Sequence, residues 1–354
     1  MTVICNALSP LTIDVVIVTR NRPAALSLSL PLVLKQSFRP QQVIIVDSSE
    51  AREPVAALVN DALRSSEIPI MAMRSLPGIP LQRNVGLKTV TADVALFLDD
   101  DSLPLPDAIS AIMRIYQLDR EEAIGGVCSA EAILAPDALM RDAKNTYAMT
   151  ALDTLRLRVA KQRYALEARV FPDPFYLHGR SRLNVREVPS WLESENAVLV
   201  EYMTGFRMSF RTKLIKQCGF DEVLSGYALF EDTDASFSIL RTHLLVGARN
   251  AQIFHYKDPG RRGTGTALGV AQVLNMAYVV CRHAPPDSQA RSHLKSFLRY
   301  KIALYATAAN SRFGRERFLG ALRAYRCLRA LMLAPPQDLS WIYCEMQAKC
   351  LAGA

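Results

Sequence analysis

Three consecutive carboxylates, Asp99, Asp100 and Asp101, close the apolar run Val94–Leu98. In an extended backbone side chains alternate, which puts Asp99 and Asp101 on one face and turns Asp100 away. Such charges repel one another unless water or a cation relieves them. The carboxyl edge of a buried parallel strand is also where open α/β sheets bind ligands. Paired hard oxygens suit Mg2+ or Mn2+, ions that also take substrate phosphate oxygens. A solvated turn, with Asp101-Ser102 capping the next segment, is the plainer alternative.

A second cluster is Gly219-Phe-Asp-Glu222, followed by Phe230-Glu-Asp-Thr-Asp234. Acids are favoured at helix starts, and Asp234 is expected to cap the helical pattern that begins at Ala235. Capping does not account for Glu231 and Asp232 as well. A carboxylate at a cleft rim suits removal of a proton from an acceptor hydroxyl. His255, in Ile253-Phe-His-Tyr256, is either a packed histidine or, if the fold brings it to Asp101, a further ligand there.

These side chains must be placed by the surrounding elements. Ile13–Val18 is a β-branched run suited to a strand buried on both faces. Pro23 opens a helix, which Pro31 is expected to kink or shorten. Val43–Val46, Ile68–Met73, Val94–Leu98 and Ala123–Ala130 read as further strands. Helical patterns over Glu53–Ser65, Pro80–Val90 and Pro106–Gln117 separate them. Such alternation predicts a mostly parallel central sheet flanked by helices. Ala138–Arg169 reads as a long polar helix. Short strands and a helix lead to His255, and the last ~90 residues read as helical, broken near Ala284-Pro-Pro and Pro335-Pro336.

Composition narrows the class. The 354 residues are half apolar and 21% charged, ordinary globular values that exclude a disordered or collagen-like chain. Seven scattered cysteines without a Cys-x-x-Cys pair fit reduced thiols better than a disulfide frame or zinc site. No basic-then-apolar leader opens the sequence, so a cytoplasmic location is expected. The uncharged stretch Gly263–Cys281 carries three Gly, two Thr, Gln272 and Asn275, and reads as a loop entering a helix that does not cross a membrane.

Taken together, these segments resemble family 2 glycosyltransferases, enzymes of the GT-A fold. The segments are Val15-Val-Ile-Val-Thr-Arg-Asn-Arg-Pro23, Val43-Ile-Ile-Val-Asp-Ser-Ser49, Leu81-Gln-Arg-Asn-Val-Gly86, Phe97-Leu-Asp-Asp-Asp101 and Gly219-Phe-Asp-Glu222 with Glu231-Asp232. The resemblance covers about residues 12–257. It implies a GT-A nucleotide-sugar-binding domain over 1–257, with a nucleotide part at 12–130 and an acceptor part at 131–257. A helical basic region, 258–354, comes after it. Donor-binding roles fall by resemblance to Thr19, Arg20, Asn21, Asp47, Arg83, Asp99 and Asp100. Asp101 and His255 would hold Mn2+ or Mg2+, Asp232 would be the general base, and Glu231 would sit beside it in the catalytic pair. The implied reaction is inverting transfer from a nucleotide-diphosphate sugar to an acceptor hydroxyl, of the kind used in bacterial-type cell-surface polysaccharide or glycolipid synthesis. Arg261 or Arg262 would help neutralise the leaving diphosphate.

Two other functions compete. A sugar-1-phosphate nucleotidylyltransferase would want a Gly-rich loop after the first strand, and Thr19–Pro23 has no glycine. An inactive sugar- or lipid-binding assembly partner would tolerate loss of carboxylates that are all present here.

The net charge of +8 is unevenly spread: from Lys257 onward 15 basic residues face 5 acidic ones. If Arg312–Met332 is one helix, Arg312, Arg315, Arg323 and Arg326 fall within an arc of about 80°. Phe313, Phe318, Tyr325, Leu328, Leu331 and Met332 take the other side. Such a helix either packs on the catalytic domain or contacts an anionic membrane, bringing a lipid-linked acceptor near the site on the inner face of the plasma membrane. Nothing in it resembles a nucleic-acid reader.

Overall fold

A computed structural model describes residues 11–136, 167, 169–180, 186–225, 228–257 and 263–352. Most of the helix expected over Ala138–Arg169 lies outside them, as do Arg261 and Arg262. The chain opens with β1 (Ile13–Thr19), α1 (Pro23–Leu34), β2 (Gln42–Asp47), α2 (Glu53–Ser65) and β3 (Ile70–Arg74). It continues through α3 (Ile79–Thr89), β4 (Val94–Asp99), β5 (Ser102–Pro104), α4 (Ala108–Leu118) and β6 (Ile124–Glu131). The strand and helix expectations thus hold within two residues through β6, apart from the short β5. Pro31 sits inside α1 without ending it. Leu30 and Val33 are buried against the sheet, and the Lys35 amide still donates to the Pro31 carbonyl, so packing holds the last turn.

After α5 (Pro174–Arg180) come β7 (Ala197–Leu199), β8 (Arg207–Arg211), α6 (Thr212–Cys218), α7 (Glu231–Leu240) and β9 (Leu244–His255). The sheet order is β3-β2-β1-β4-β8-β6-β9-β5, with β7 paired to β9. β1 to β4 run parallel, whereas β8 enters antiparallel between β4 and β6. Alternate residues of β1 feed two cores. Val16 and Val18 join Ile44, Phe97 and Phe210 on one face, and Ile13, Val15 and Ile17 join Val43, Leu96 and Ile112 on the other.

The C-terminal helices are α8 (Gly265–His283), α9 (Gln289–Thr307), α10 (Arg312–Met332) and α11 (Leu339–Ala352). The breaks at Ala284 and Pro335 fall as expected, and a further one at 308–311 divides α9 from α10. Val270, Leu274, Leu328 and Tyr343 belong to the same core as Val16 and Phe97, so these helices pack on the sheet domain. The apolar side of α10 takes the packing option: Ala321, Ala324, Leu328 and Leu331 are buried, while Arg312, Arg315 and Arg326 are exposed. Among the described residues no helix is long and apolar enough to cross a membrane.

Helix α3 carries two site residues and is pressed closely onto the sheet. A Cβ at Gly86 would lie 2.5 Å from Val16 Cγ1 and 3.1 Å from Val46 Cγ2. Both contacts are with stiff β-branched side chains inside a packed core. Gly86→Ala is therefore expected to lower stability by roughly 1–3 kcal/mol, the usual range for overpacking, read as a lower urea midpoint. An unchanged midpoint would show that α3 can slide without loss.

Candidate functional site

The parallel strands β1, β2 and β4 end together, and their last residues carry the first group of predicted side chains. The Thr19 hydroxyl donates to Asp100 at 2.8 Å, inside the protein. Asp47 is buried at the end of β2, where its Oδ1 accepts the Ser49 amide at 2.7 Å and its Oδ2 takes Arg74 Nη1 at 2.5 Å. Parallel register explains that pair, because Asp47 lies directly opposite Arg74 on β3. Asn21 is exposed with φ 55°, bound through its amide to Ser49 Oγ and through its Oδ1 to the Glu50 amide. Arg20 is exposed, 3.8 Å from Glu50.

The aspartate triplet does not keep strand alternation, because β4 ends at Asp99. Asp99 turns to Arg83, with Oδ1 3.0 Å from Nη2. Asp100 and Asp101 instead share Arg22: its Nη1 lies 2.9 Å from Asp100 Oδ1 and its Nη2 2.5 Å from Asp101 Oδ2. The expected common face for Asp99 and Asp101 is thus corrected by the turn after the strand. Burial pushes Asp100 up to about 7, against the pull of Arg22 and Thr19. Burial acts the same way on Asp101, but His255 and Arg22 outweigh it and hold that carboxyl at about 2. His255 arrives on β9, paired with Ser102 of β5, its Nε2 3.5 Å from Asp101 Oδ1. The ring stacks on Phe206 with centroids 4.3 Å apart.

These contacts bear on whether a divalent cation fits. Asp101 and His255 supply one hard oxygen and one imidazole nitrogen. Among the described residues no group of three His, Cys, Asp or Glu side chains converges as a ligand set. Mg2+ and Mn2+ commonly use one or two protein ligands and complete their shell with water and substrate phosphates. The Asp101–His255 pair fits that partial role. Asp100, committed to Thr19 and Arg22, does not.

The second group meets the first through Arg83. Its side chain is 1% exposed, with Nη1 donating to Glu231 Oε1 at 2.7 Å and Nη2 to Asp99 Oδ1 and the Gly205 carbonyl, each at 3.0 Å. Burial lowers its pKa, but Glu231, Asp99 and Asp232 together raise it further, so it stays charged. The resemblance places Arg83 against the donor; in the structure its two terminal nitrogens are engaged by protein oxygens. Next to it, Asn84 takes the Phe220 amide and donates to the Phe220 carbonyl, both at 2.8 Å, pinning α3 to the Gly219 turn.

Glu231 and Asp232 begin α7. The Asp232 Oδ2 accepts the Gly205 amide and its Oδ1 accepts the Thr233 amide, each at 2.7 Å. Burial raises the pKa of both carboxyls, and the negative Asp232 lifts Glu231 further while Arg83 opposes the rise in each. The helix cap is not Asp234. Phe230, in the left-handed region at φ 71°, precedes the first turn, and Asp234 points across to α8. There it meets His283 Nε2 at 2.7 Å and Arg282 Nη1 at 3.1 Å.

Several of these partners do not stand out in the sequence. Arg22, Arg74 and Gln82 each close the cleft floor, Gln82 by donating to the Thr19 and Val46 carbonyls at 2.9 Å. No signal in the sequence separates Arg22 from Arg20, which also follows β1 but is exposed.

His283 offers a check of this hydrogen-bond pattern. Arg241 donates toward its Nδ1, so the Nε2 proton goes to Asp234 and the ring is neutral. Burial lowers its pKa despite Asp234, so the unfolded chain binds the extra proton first. Stability is then expected to be fully present above about pH 6.5 and to fall as pH drops below it. His283→Gln should flatten the slope of urea midpoint against pH, and an unaltered slope would place the titration elsewhere, with buried His243 the next candidate.

Comparisons with known proteins bear on the family resemblance and the fold. The model for the family described as "Glycosyl transferase family 2" matches residues 14–147. Over 103 residues, 29% of the chain, the sequence is 32% identical to a Bacillus subtilis (strain 168) protein named uncharacterized glycosyltransferase YwdF. The chain spans 37% of that relative's length. Among solved structures, S. aureus TarS 1-349 superposes with TM-score 0.50 at 13% identity, covering 97% of this chain and 92% of that one. The same fragment in complex with UDP gives TM-score 0.51, also at 13% identity. At such identity the likeness is one of fold. Residues 14–147 thus carry a match to glycosyl transferase family 2, and the α/β sheet with a C-terminal helical region has the GT-A type of fold.

Proposed function

We propose that the chain transfers a sugar from a nucleoside diphosphate sugar to an acceptor hydroxyl, with inversion at the anomeric carbon. One observation carries this reading. The buried Arg83 guanidinium joins the end of β4 to the start of α7, which supports a reading in which the donor-side residues and Asp232 border one cleft. Asp232 is half-buried; its Oδ2 accepts the Gly205 amide, and its Oδ1 accepts the Thr233 amide and hydroxyl. A carboxylate has about four lone-pair sites, which leaves acceptance of a hydroxyl proton open. Its raised pKa makes it a stronger base than a surface aspartate.

In this scheme Asp232 takes the acceptor O–H proton while the acceptor oxygen bonds the anomeric carbon. The bond from that carbon to the diphosphate breaks, and the nucleoside diphosphate leaves on the opposite face. Asp47 and Thr19 would border the nucleoside, and Asp99 the ribose or donor sugar. A divalent cation on Asp101 and His255 would offset charge developing on the leaving diphosphate. Synthesis of a cell-surface polysaccharide or glycolipid is the setting this chemistry suits.

A thermal-shift series with UDP, dTDP and GDP sugars, each with and without Mn2+, tests the reading. Native-state binding raises the melting temperature by mass action, about 2.7 kcal/mol at a hundredfold excess over Kd. One nucleotide should stand out, more strongly with Mn2+. No shift with any of them would overturn the proposal.

A further inference from the structure

Two cavities share a wall, and the smaller reaches Phe230, the residue before α7. The larger, about 410 Å3, lies between α5 and α9 and is lined by Phe171, Asp173, Tyr176, Tyr300 and Lys301 among others. The smaller, about 210 Å3, is bounded by Tyr202, Phe230, Gln272 and Arg317. Asp173, Phe297 and Lys301 line both. The smaller cavity reaches Phe230, two residues before Asp232, and Tyr202, three residues before Gly205, whose amide holds the Asp232 carboxylate. Their combined size falls within the ~300–1,000 Å3 typical of small-molecule sites.

The lining restricts what can enter. Phe171 and Tyr300 stack with centroids 4.6 Å apart and planes at 6°, and Tyr176 lies 5.4 Å from Tyr202. Aromatic faces carry partial negative charge and favour C–H groups laid against them. Set among the rings are two acids, Glu167 and Asp173, and two bases, Lys301 and Arg317. Asp173, its Oδ1 bound to the Phe175 amide, sits near Lys301, while Arg317 lies 4.0 Å over Tyr305 and donates to Gln272 at 2.8 Å. Balanced charge disfavours a strongly anionic ligand. A hydrocarbon chain would desolvate Asp173, Lys301 and Gln272 without giving them partners. A pyranose ring meets both demands, with a face of C–H bonds and a rim of hydroxyls.

We propose that the two cavities form one trough that binds neutral sugar units of the acceptor glycan and leads its terminal hydroxyl to Asp232. The proposal rests on the transferase reading for the direction of the trough, but glycan binding itself can be measured alone.

The test uses the full chain and four probes, maltotriose, cellotriose, chitotriose and mannotriose, with saturation-transfer NMR and titration in the absence of nucleotide. UDP, dTDP and GDP are titrated separately. At least one trisaccharide should bind, and Tyr300→Ala should weaken it by about tenfold, the equivalent of ~1.4 kcal/mol. Tyr300→Phe, which keeps the ring, should bind as the wild type does. Asp173→Asn should also weaken glycan binding, and all three variants should leave nucleotide binding unchanged. If no trisaccharide binds, or if Tyr300→Ala and Asp173→Asn both bind it at full strength, the trough is not a glycan site. Tyr300-dependent glycan binding in a chain that binds no nucleotide would keep the trough and remove the transferase reading. Nucleotide binding without glycan binding would do the reverse.

Discussion

Asp232→Asn should cut sugar transfer by roughly 10²–10⁴-fold, the usual contribution of a positioned general base, while nucleotide binding stays at its wild-type level. The amide keeps the shape of the carboxylate, and its oxygen can still accept the Thr233 amide that Oδ1 now accepts at 2.7 Å. What it loses is basicity, together with the Oδ2 acceptor of the Gly205 amide. It also removes the negative charge that lifts Glu231, so that carboxyl should ionise more readily in the variant. Because Asp99 and Glu231 remain tied by Arg83, the donor side is left in place. Single-turnover transfer and nucleotide affinity, measured on the same preparation, separate the two effects. Full transfer by Asp232→Asn would remove Asp232 from the chemistry. A parallel loss of nucleotide affinity would show that the substitution disturbed the cleft instead.

The parts of this cleft that could be read from sequence are those whose physics is local. The limits of α2, Glu53–Ser65, come from a proline in the first turn and from apolar spacing. Strands β1, β2 and β4 announce themselves because both faces are buried and β-branched residues fill them. Antiparallel β8 between β4 and β6 could not be read that way, since pairing across more than a hundred residues leaves no local trace. The same holds for side-chain partners. Arg22 meets Asp100 and Asp101 across 78 and 79 positions, and its charge alone does not distinguish it from Arg20, which is exposed. Alternation places Asp99 with Asp101, a rule that fails where the strand stops. Asp234 looks like a cap because the apolar pattern starts at Ala235, yet the helix begins at Glu231 and Asp234 serves α8. Arg317 belongs to the basic helix but turns inward over Tyr305, a contact set by α9 packing and not by helical spacing.

Arg83→Met is expected to produce the largest loss of stability among single changes in the cleft. Methionine approximates the volume of the arginine stem, so packing over Phe220, now 5.5 Å from the guanidinium carbon, is largely kept. The charge is not. Glu231, buried beside it, and Asp99 lose their cation, and the Gly205 carbonyl loses a donor. Removing one partner of a buried ion pair typically costs about 3–5 kcal/mol, because the other charge is left uncompensated. The loss should depend on pH in a definite sense. Without Arg83 the Glu231 pKa rises further above its unfolded value, so the folded variant holds a proton that the unfolded chain releases. Its stability is then best near or below the unfolded carboxyl range, around pH 4, and declines as pH rises. Urea midpoints of Arg83→Met should accordingly lie nearer the wild type at pH 5 than at pH 8. Adding Glu231→Gln should recover part of the loss at pH 8, since the amide needs no cation. A midpoint difference that is the same at both pH values, with no recovery in the double variant, would mean that Arg83 acts by filling space. In that case the bridge between β4 and α7 would need another carrier.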